Sequence, residues 1–106
     1  LAAFGVMGGP MQPQGHLQVV VRMVDQGLNP QSAIDAPRWQ VMDDGTVLLE
    51  PGFPESTVTE LAARGHRVSI DSAATTFFGG AQMAWRTTDA YIAASDPRRD
   101  GQAVGY

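Results

Sequence analysis

The sequence contains no cysteine. Disulfides, thiolate nucleophiles and cysteine-ligated metals are therefore excluded, while the redox compartment stays open, because a cysteine-free chain suits either side of a membrane. Charge is sparse as well: 17% of residues are charged, 7 basic against 11 acidic, for a formal net charge of −4. The basic residues are scattered and form no stripe, which argues against nucleic acid as a partner. No apolar run approaches the roughly 20 residues that a membrane-spanning helix needs, so no membrane partner is expected. No secretory signal pattern is visible. Nothing in the chain decides between a periplasmic, extracellular or cytoplasmic location.

What is present is a globular composition. The chain has 106 residues, 43% of them hydrophobic, which fits one domain or a piece of one with a modest core. It opens on Leu1, and Ala2–Met7 already reads as an apolar strand running into the turn Gly8-Gly9-Pro10. A chain that opens inside a strand is expected to have lost upstream partners. Residues 11–15, MQPQG, continue the loop in this reading, because Pro10 and Pro13 disfavour both helix and ladder. From His16 the pattern changes. Leu17, Val20, Val21, Val24 and Leu28 recur at helical spacing and predict an apolar face, with Gln18, Arg22, Asp25 and Gln26 opposite and Gly27 as the stop.

Asn29-Pro30 predicts a fresh helix start, with Asn as N-cap and Pro at the first helical position. Pro37 ends that short helix. Residues 38–42 and 46–50 predict two strands joined at Asp43-Asp44-Gly45. Pro54 opens a third helix with Val58, Leu61 and Ala62 on one face and Gly65 beyond its end. Residues 67–70 read as a strand, 72–80 as a loop, and 81–86 with 91–94 as a final hairpin. Mixed segments in this order predict an α+β fold, with helices packed on a mainly antiparallel sheet.

Several segments taken together carry a family resemblance. FGVMGGPMQPQGHLQVVVRMVDQGLNPQSAIDAPRW from Phe4 to Trp39 resembles the γ-glutamyltransferase (γ-glutamyltranspeptidase) family. So do VLLEPGFPESTVTELAARGHRV from Val47, FGGAQ from Phe78 and AASDPRRDGQAVGY from Ala93. The four motifs come in the family's order and cover nearly the whole chain. The resemblance implies that residues 1–106 are the C-terminal portion of a small subunit, within the αββα sandwich of an N-terminal-nucleophile hydrolase. It implies an N-terminal Thr that attacks a γ-glutamyl amide and a γ-glutamyl-enzyme released to water or to an acceptor amine. Related enzymes act as acylases on glutaryl-type side chains. The partners implied are the rest of the small subunit, the large subunit and a small γ-glutamyl substrate; no cofactor is implied.

By the same resemblance Gly8 and Gly9 match the family's oxyanion-hole glycine pair. Glycine suits that task, since a backbone without Cβ can approach closely and turn both N–H groups into the site. An ordinary strand-ending turn is the other reading of the pair. Gln12, Gln14 and His16 stand as a polar loop lining the site beside Gly9, or equally as a loop with a helix start. His16 could serve as a base, but this chemistry uses the nucleophile's own α-amine. No ligand spacing links His16 and His66 to a carboxylate cluster, so no metal is expected. Thr75 and Thr76 lie far into the chain without a free amine and are rejected as nucleophiles. Asp96 and Arg98 are expected to form a structural ion pair or cap that matters for subunit packing. The missing nucleophile leaves an alternative: a non-catalytic remnant that serves as a structural, self-associating module.

Overall fold

The computed structural model describes residues 1–71 and 77–105. The strands and helices are β1 (Ala2–Met7), α1 (Met11–Val24), α2 (Pro30–Asp35), β2 (Trp39–Val41), β3 (Val47–Leu49), α3 (Glu55–Ala63), β4 (Val68–Ile70), β5 (Gly80–Arg86) and β6 (Tyr91–Ser95). They build two three-stranded sheets, ordered β1-β5-β6 and β2-β3-β4. The first is antiparallel throughout, while β3 and β4 run parallel. Among the described residues no helix is long and apolar enough to cross a membrane.

One face of the first sheet carries the core. Val6, Ala81, Met83 and Ala94 alternate onto it, and Val19 of α1 and Ile34 of α2 close over them, with Phe4, Met23 and Trp85 at the margin. Gly15 sets how near α1 can lie: a Cβ there would sit 2.6 Å from Val6 Cγ1. The expected α+β class, the second helix and the closing hairpin are all found. Asn29 caps α2 through Oδ1, which accepts from Ser32 N at 2.9 Å, and Pro30 is its first residue.

Two expectations about α1 fail. The helix starts at Met11 and takes in residues 11–15, so that segment is not a loop. Pro10 precedes the helix and Pro13 is its third residue. Their missing N–H groups fall in the first turn, where no intrahelical acceptor exists anyway. The buried face is also different. Met11, Gly15, Gln18, Val19 and Arg22 face inward, whereas Leu17, Val20 and Val24 are exposed.

Gln18 and Arg22 are tolerated inside because each bonds main chain that would otherwise be orphaned. Gln18 donates to Trp39 O at 2.8 Å and accepts from Trp39 N at 3.0 Å. Gln14, one turn earlier, does the same to Val41 at 3.1 and 2.8 Å. Four helical residues rise about 6 Å and two strand residues about 6.6 Å. Glutamines four apart on α1 therefore reach alternate residues of β2 and act as a substitute neighbouring strand.

Arg22 belongs to a larger charged cluster at the C-terminal end of α2. Its guanidinium donates to the carbonyls of Ala33 and Ala36, both at 3.3 Å, and to that of Pro37. Arg98 donates to Ile34 O at 3.0 Å and Ala36 O at 3.1 Å, and Arg38 to Ile34 O at 3.4 Å. Three cations thus satisfy carbonyls that a helix end leaves open. Two carboxylates balance them. Arg38 pairs with Asp96 at 2.6 Å, both fully buried, and Arg98 pairs with Asp96 at 3.1 Å and with Glu50. The expected Asp96–Arg98 pair therefore exists, inside a network that ties the ends of β2, β3 and β6 together.

Burial and the neighbouring cations Arg38 and Arg98 lower Arg22 to about 10, so it stays charged at neutral pH. Burial works against ionisation of Asp96, but N–H donors from Arg98 and Ala81 and the Arg38 guanidinium outweigh it and hold this carboxyl below its ordinary value. Because the folded value lies below the unfolded value of about 3.9, the stabilisation is complete above that pH and is lost as pH falls through the folded value. Asp96→Asn is expected to cost about 3–5 kcal/mol at pH 7, since it leaves Arg38 buried without its counter-ion. The gap from the wild type should narrow below about pH 4. Urea unfolding of both proteins from pH 7 to pH 2.5 checks this; a gap independent of pH would refute it.

Candidate active site

The candidate site forms where β1 ends and α1 begins. Gly8 and Gly9 have φ of +138° and +57°, values that disfavour any residue with a Cβ. Their carbonyls start the helix: Met11 N donates to Gly8 O at 3.1 Å and Gln12 N to Gly9 O at 3.0 Å. Their own N–H groups have no backbone acceptor among the described residues. The pair thus places two uncommitted N–H donors at the positive end of a 14-residue helix, a setting that favours negative charge.

Gly79 presses against this turn from the other side. It has φ +76°, and a Cβ there would sit 2.3 Å from Met7 O and 3.0 Å from Val6 Cγ1. A Cβ on Gly8 would in turn lie 3.1 Å from Gly79 Cα. Gly79, within FGGAQ, is therefore a packing requirement of the turn, while its neighbour Gly80 makes room for the Arg99 side chain. The sequence signal was present in that motif, but nothing in one chain's order of residues says which two loops meet.

Beside the turn lies a cleft of about 440 Å³ lined by Gly8, Pro10, Gln14, Gln40 and Phe77, with the loop that follows β2. Gln40 was not anticipated as a site residue. The residue is 8% exposed and its buried Oε1 has no hydrogen-bond donor among the described residues. Among the expected polar residues, the structure brings Gln14 to the cleft but commits its amide to Val41. Gln12 is exposed on the first turn of α1.

His16 points the other way, onto β1. Its Nδ1 lies 2.5 Å from Gln12 O and its Nε2 accepts from Val6 N at 3.3 Å. Its ring also leans on Phe4, with centroids 5.4 Å apart. Both nitrogens are engaged with main chain, an arrangement that serves the outer edge of β1. Thr75 and Thr76, rejected above as nucleophiles, lie outside the described residues, as does part of the loop expected at 72–80.

With this geometry in hand, comparison with known proteins is informative. The pattern of the Gamma-glutamyltranspeptidase family matches residues 1–106. A Glutathione hydrolase-like YwrD proenzyme of Bacillus subtilis is 32% identical over 108 residues, covering 96% of this chain and 21% of that protein. An Oxamate amidohydrolase proenzyme of Klebsiella pneumoniae is 30% identical, covering 97% of this chain and 21% of its own length. In three dimensions the chain resembles a cephalosporin acylase from Bacillus halodurans with a TM-score of 0.89 and 46% identity, over 97% of this chain and 19% of that one. The chain therefore spans about a fifth of the length of the relatives it matches.

The hydrogen bonds of His16 fix which nitrogen carries the proton of the neutral ring. Nδ1 must donate to Gln12 O, since Nε2 accepts from Val6 N. The neutral imidazole is therefore expected as the Nδ1–H tautomer, which ¹⁵N NMR of the ring reads directly. A dominant Nε2–H tautomer would mean that the ring is turned toward something else.

Proposed function

The chain belongs to the gamma-glutamyltranspeptidase family, and we propose that it is the C-terminal portion of the small subunit of an N-terminal-nucleophile enzyme. That enzyme hydrolyses or transfers γ-glutamyl or similar acyl groups through a Thr lying upstream of residue 1. The fold agrees with this assignment: it is α+β, dominated by antiparallel ladders, and matches the corresponding part of an acylase closely.

The observation that carries the proposal is the pair of uncommitted N–H groups at Gly8 and Gly9. In the proposed reaction the Thr hydroxyl adds to the amide carbonyl, and its α-amine takes the proton. The carbonyl π electrons move to oxygen, where the two N–H groups stabilise the charge. Collapse expels the amine, which takes back the proton held by the α-ammonium, and leaves an acyl-enzyme that water or an acceptor amine then resolves. The charge develops where the donors are already aimed, so stabilising it needs no reorganisation. Gln14 contributes by holding β2 beside the turn, and the cleft past Gln40 is the space offered to the acyl group. Gln12 and His16 are assigned to shaping the start of α1.

The exposed apolar groups fit the same proposal. Leu17, Val20 and Val24 on α1, Met7 on β1 and Phe77 beside the cleft are all open to solvent in this chain. We assign their cover to the rest of the small subunit and the large subunit, and the relatives are indeed longer proenzymes. Without that cover the isolated chain should self-associate.

Two measurements test the proposal. Intact mass of the protein expressed from the full-length parent gene should give two fragments, the smaller beginning at a Thr and ending at Tyr106; one uncut chain would refute self-processing. The isolated chain should release no dye from γ-glutamyl p-nitroanilide. In the processed parent, Gly8→Ala keeps its N–H but places a Cβ 3.1 Å from Gly79 Cα and Met11 Cβ at a φ of +138°, so it should swing the donors off the oxyanion and lower kcat by about 10²-fold.

A further inference from the structure

Among the described residues the ion pair Arg38–Asp96 makes no hydrogen bond to the Gly8–Gly9 turn, yet its partners lead back to it. Asp96 Oδ2 accepts from Arg38 Nη2 and from Ala81 N, both at 2.6 Å. Arg38 Nη1 donates to Phe78 O at 2.9 Å. One ion pair therefore clamps both ends of the four-residue segment 78–81. Within that segment is Gly79, the residue with no room for a Cβ against Met7 O, and against which Gly8 itself has no room for one. The last rung of the β1–β5 ladder, Met7 opposite Gly80, lies in the same place. Neither charged group is exposed at all, so solvent does not soften the clamp.

We propose that Arg38 and Asp96 are positioning residues for catalysis: they hold segment 78–81 as a backstop that sets the orientation of the Gly8 and Gly9 N–H donors. This rests on the oxyanion assignment of that turn. The argument is geometric. Among the described residues the turn is flanked by α1 on one side and by Gly79 on the other. Two adjacent glycines have the softest backbone available, so their donors are aimed only as well as those neighbours are fixed. Oxyanion donors act over a narrow range, within about 0.3 Å of their best distance, and misplacement of about 1 Å can cost about 10²-fold in rate. The ion pair supplies rigidity where the glycines cannot.

The test uses the processed full-length parent enzyme with active sites titrated by a covalent inhibitor, so that loss of folded enzyme is not read as loss of rate. Arg38→Lys keeps the charge opposite Asp96 but gives up the forked donor that also reaches Phe78 O. The expected result is a fall in kcat per active site of roughly 10- to 100-fold with KM within about 2-fold. Combined with Gly8→Ala, whose Cβ would press on Gly79, the two losses should be clearly less than additive in log rate, because both act through one turn. Should Arg38→Lys yield no processed enzyme, Asp96→Asn, which keeps the side-chain volume, is measured in the same way and should show the same split.

The outcomes separate the proposal from the assignment beneath it. If Gly8→Ala slows turnover while Arg38→Lys leaves kcat per active site unchanged, or if the two losses simply add, the positioning role is wrong and the oxyanion turn stands. If Gly8→Ala, which must displace the turn, has no effect on kcat, the oxyanion assignment falls and the positioning role falls with it.

Discussion

A fully buried arginine is the constraint around which this chain is arranged. Moving a guanidinium out of water costs several kcal/mol unless a counter-ion and acceptors replace the lost hydration. Arg38 is supplied with Asp96, with the carbonyls of Phe78 and Ile34, and with a neighbouring carboxylate, Glu50, which takes its main-chain N–H at 2.7 Å. Arg38 itself stands before β2, and those groups come from α2, the end of β3, the approach to β5 and the exit of β6. Two sheets that share no ladder are joined at their ends by charge, while the apolar cluster lies under only one of them. Breaking the pair would therefore loosen the relation between the sheets before it touched the core.

The inside of α1 follows the same logic on a smaller scale. A helix apolar on two sides has a choice of face, and counting apolar residues does not decide it. The face with Leu17, Val20 and Val24 is richer in large apolar groups, but the face that turns inward holds Gln18 and Arg22. Unsatisfied main chain at β2 and at the end of α2 needs donors and acceptors, and an unpaired buried polar group costs about 1–3 kcal/mol. Gln14, Gln18 and Arg22 meet that need at one-turn spacing, leaving the more apolar stripe outward.

How much was legible beforehand follows from this contrast. Local chemistry read well: the Asn29-Pro30 start of α2, the Asp43-Asp44-Gly45 turn, Gly65 after α3 and the final hairpin depend on residues close in sequence. The first helix was misjudged twice, each time because a rule was applied without its context. Prolines were taken as breakers where first-turn positions accept them, and a polar residue was taken as outward where a distant strand needed its amide. Of the candidate site, Gly8 and Gly9 could be named from the motif. Gly79, Gln40 and Arg38 could not, because their importance depends on which segments meet. His16, readable from its type either as site lining or as a helix start, has both ring nitrogens on main chain at the outer edge of β1.

The glycine turn joins these observations. Gly8 and Gly9 adopt conformations that other residues avoid, with φ values of +138° and +57°. Such a turn is accurate only if something rigid stands on both sides of it. On one side α1 is pinned to β2 by two glutamine amides and to β1 by the close approach at Gly15. On the other, segment 78–81 is pinned by the buried ion pair. A pair of soft residues held between two stiff ones can keep both N–H groups free and still fixed in direction. A more rigid turn residue would give up that geometry, since any Cβ at Gly8 meets Met11 and Gly79 at 3.1 Å. The polar groups buried in this fold are thus placed where the backbone has the least stiffness of its own, and the free donors lie where the surrounding structure is most determined.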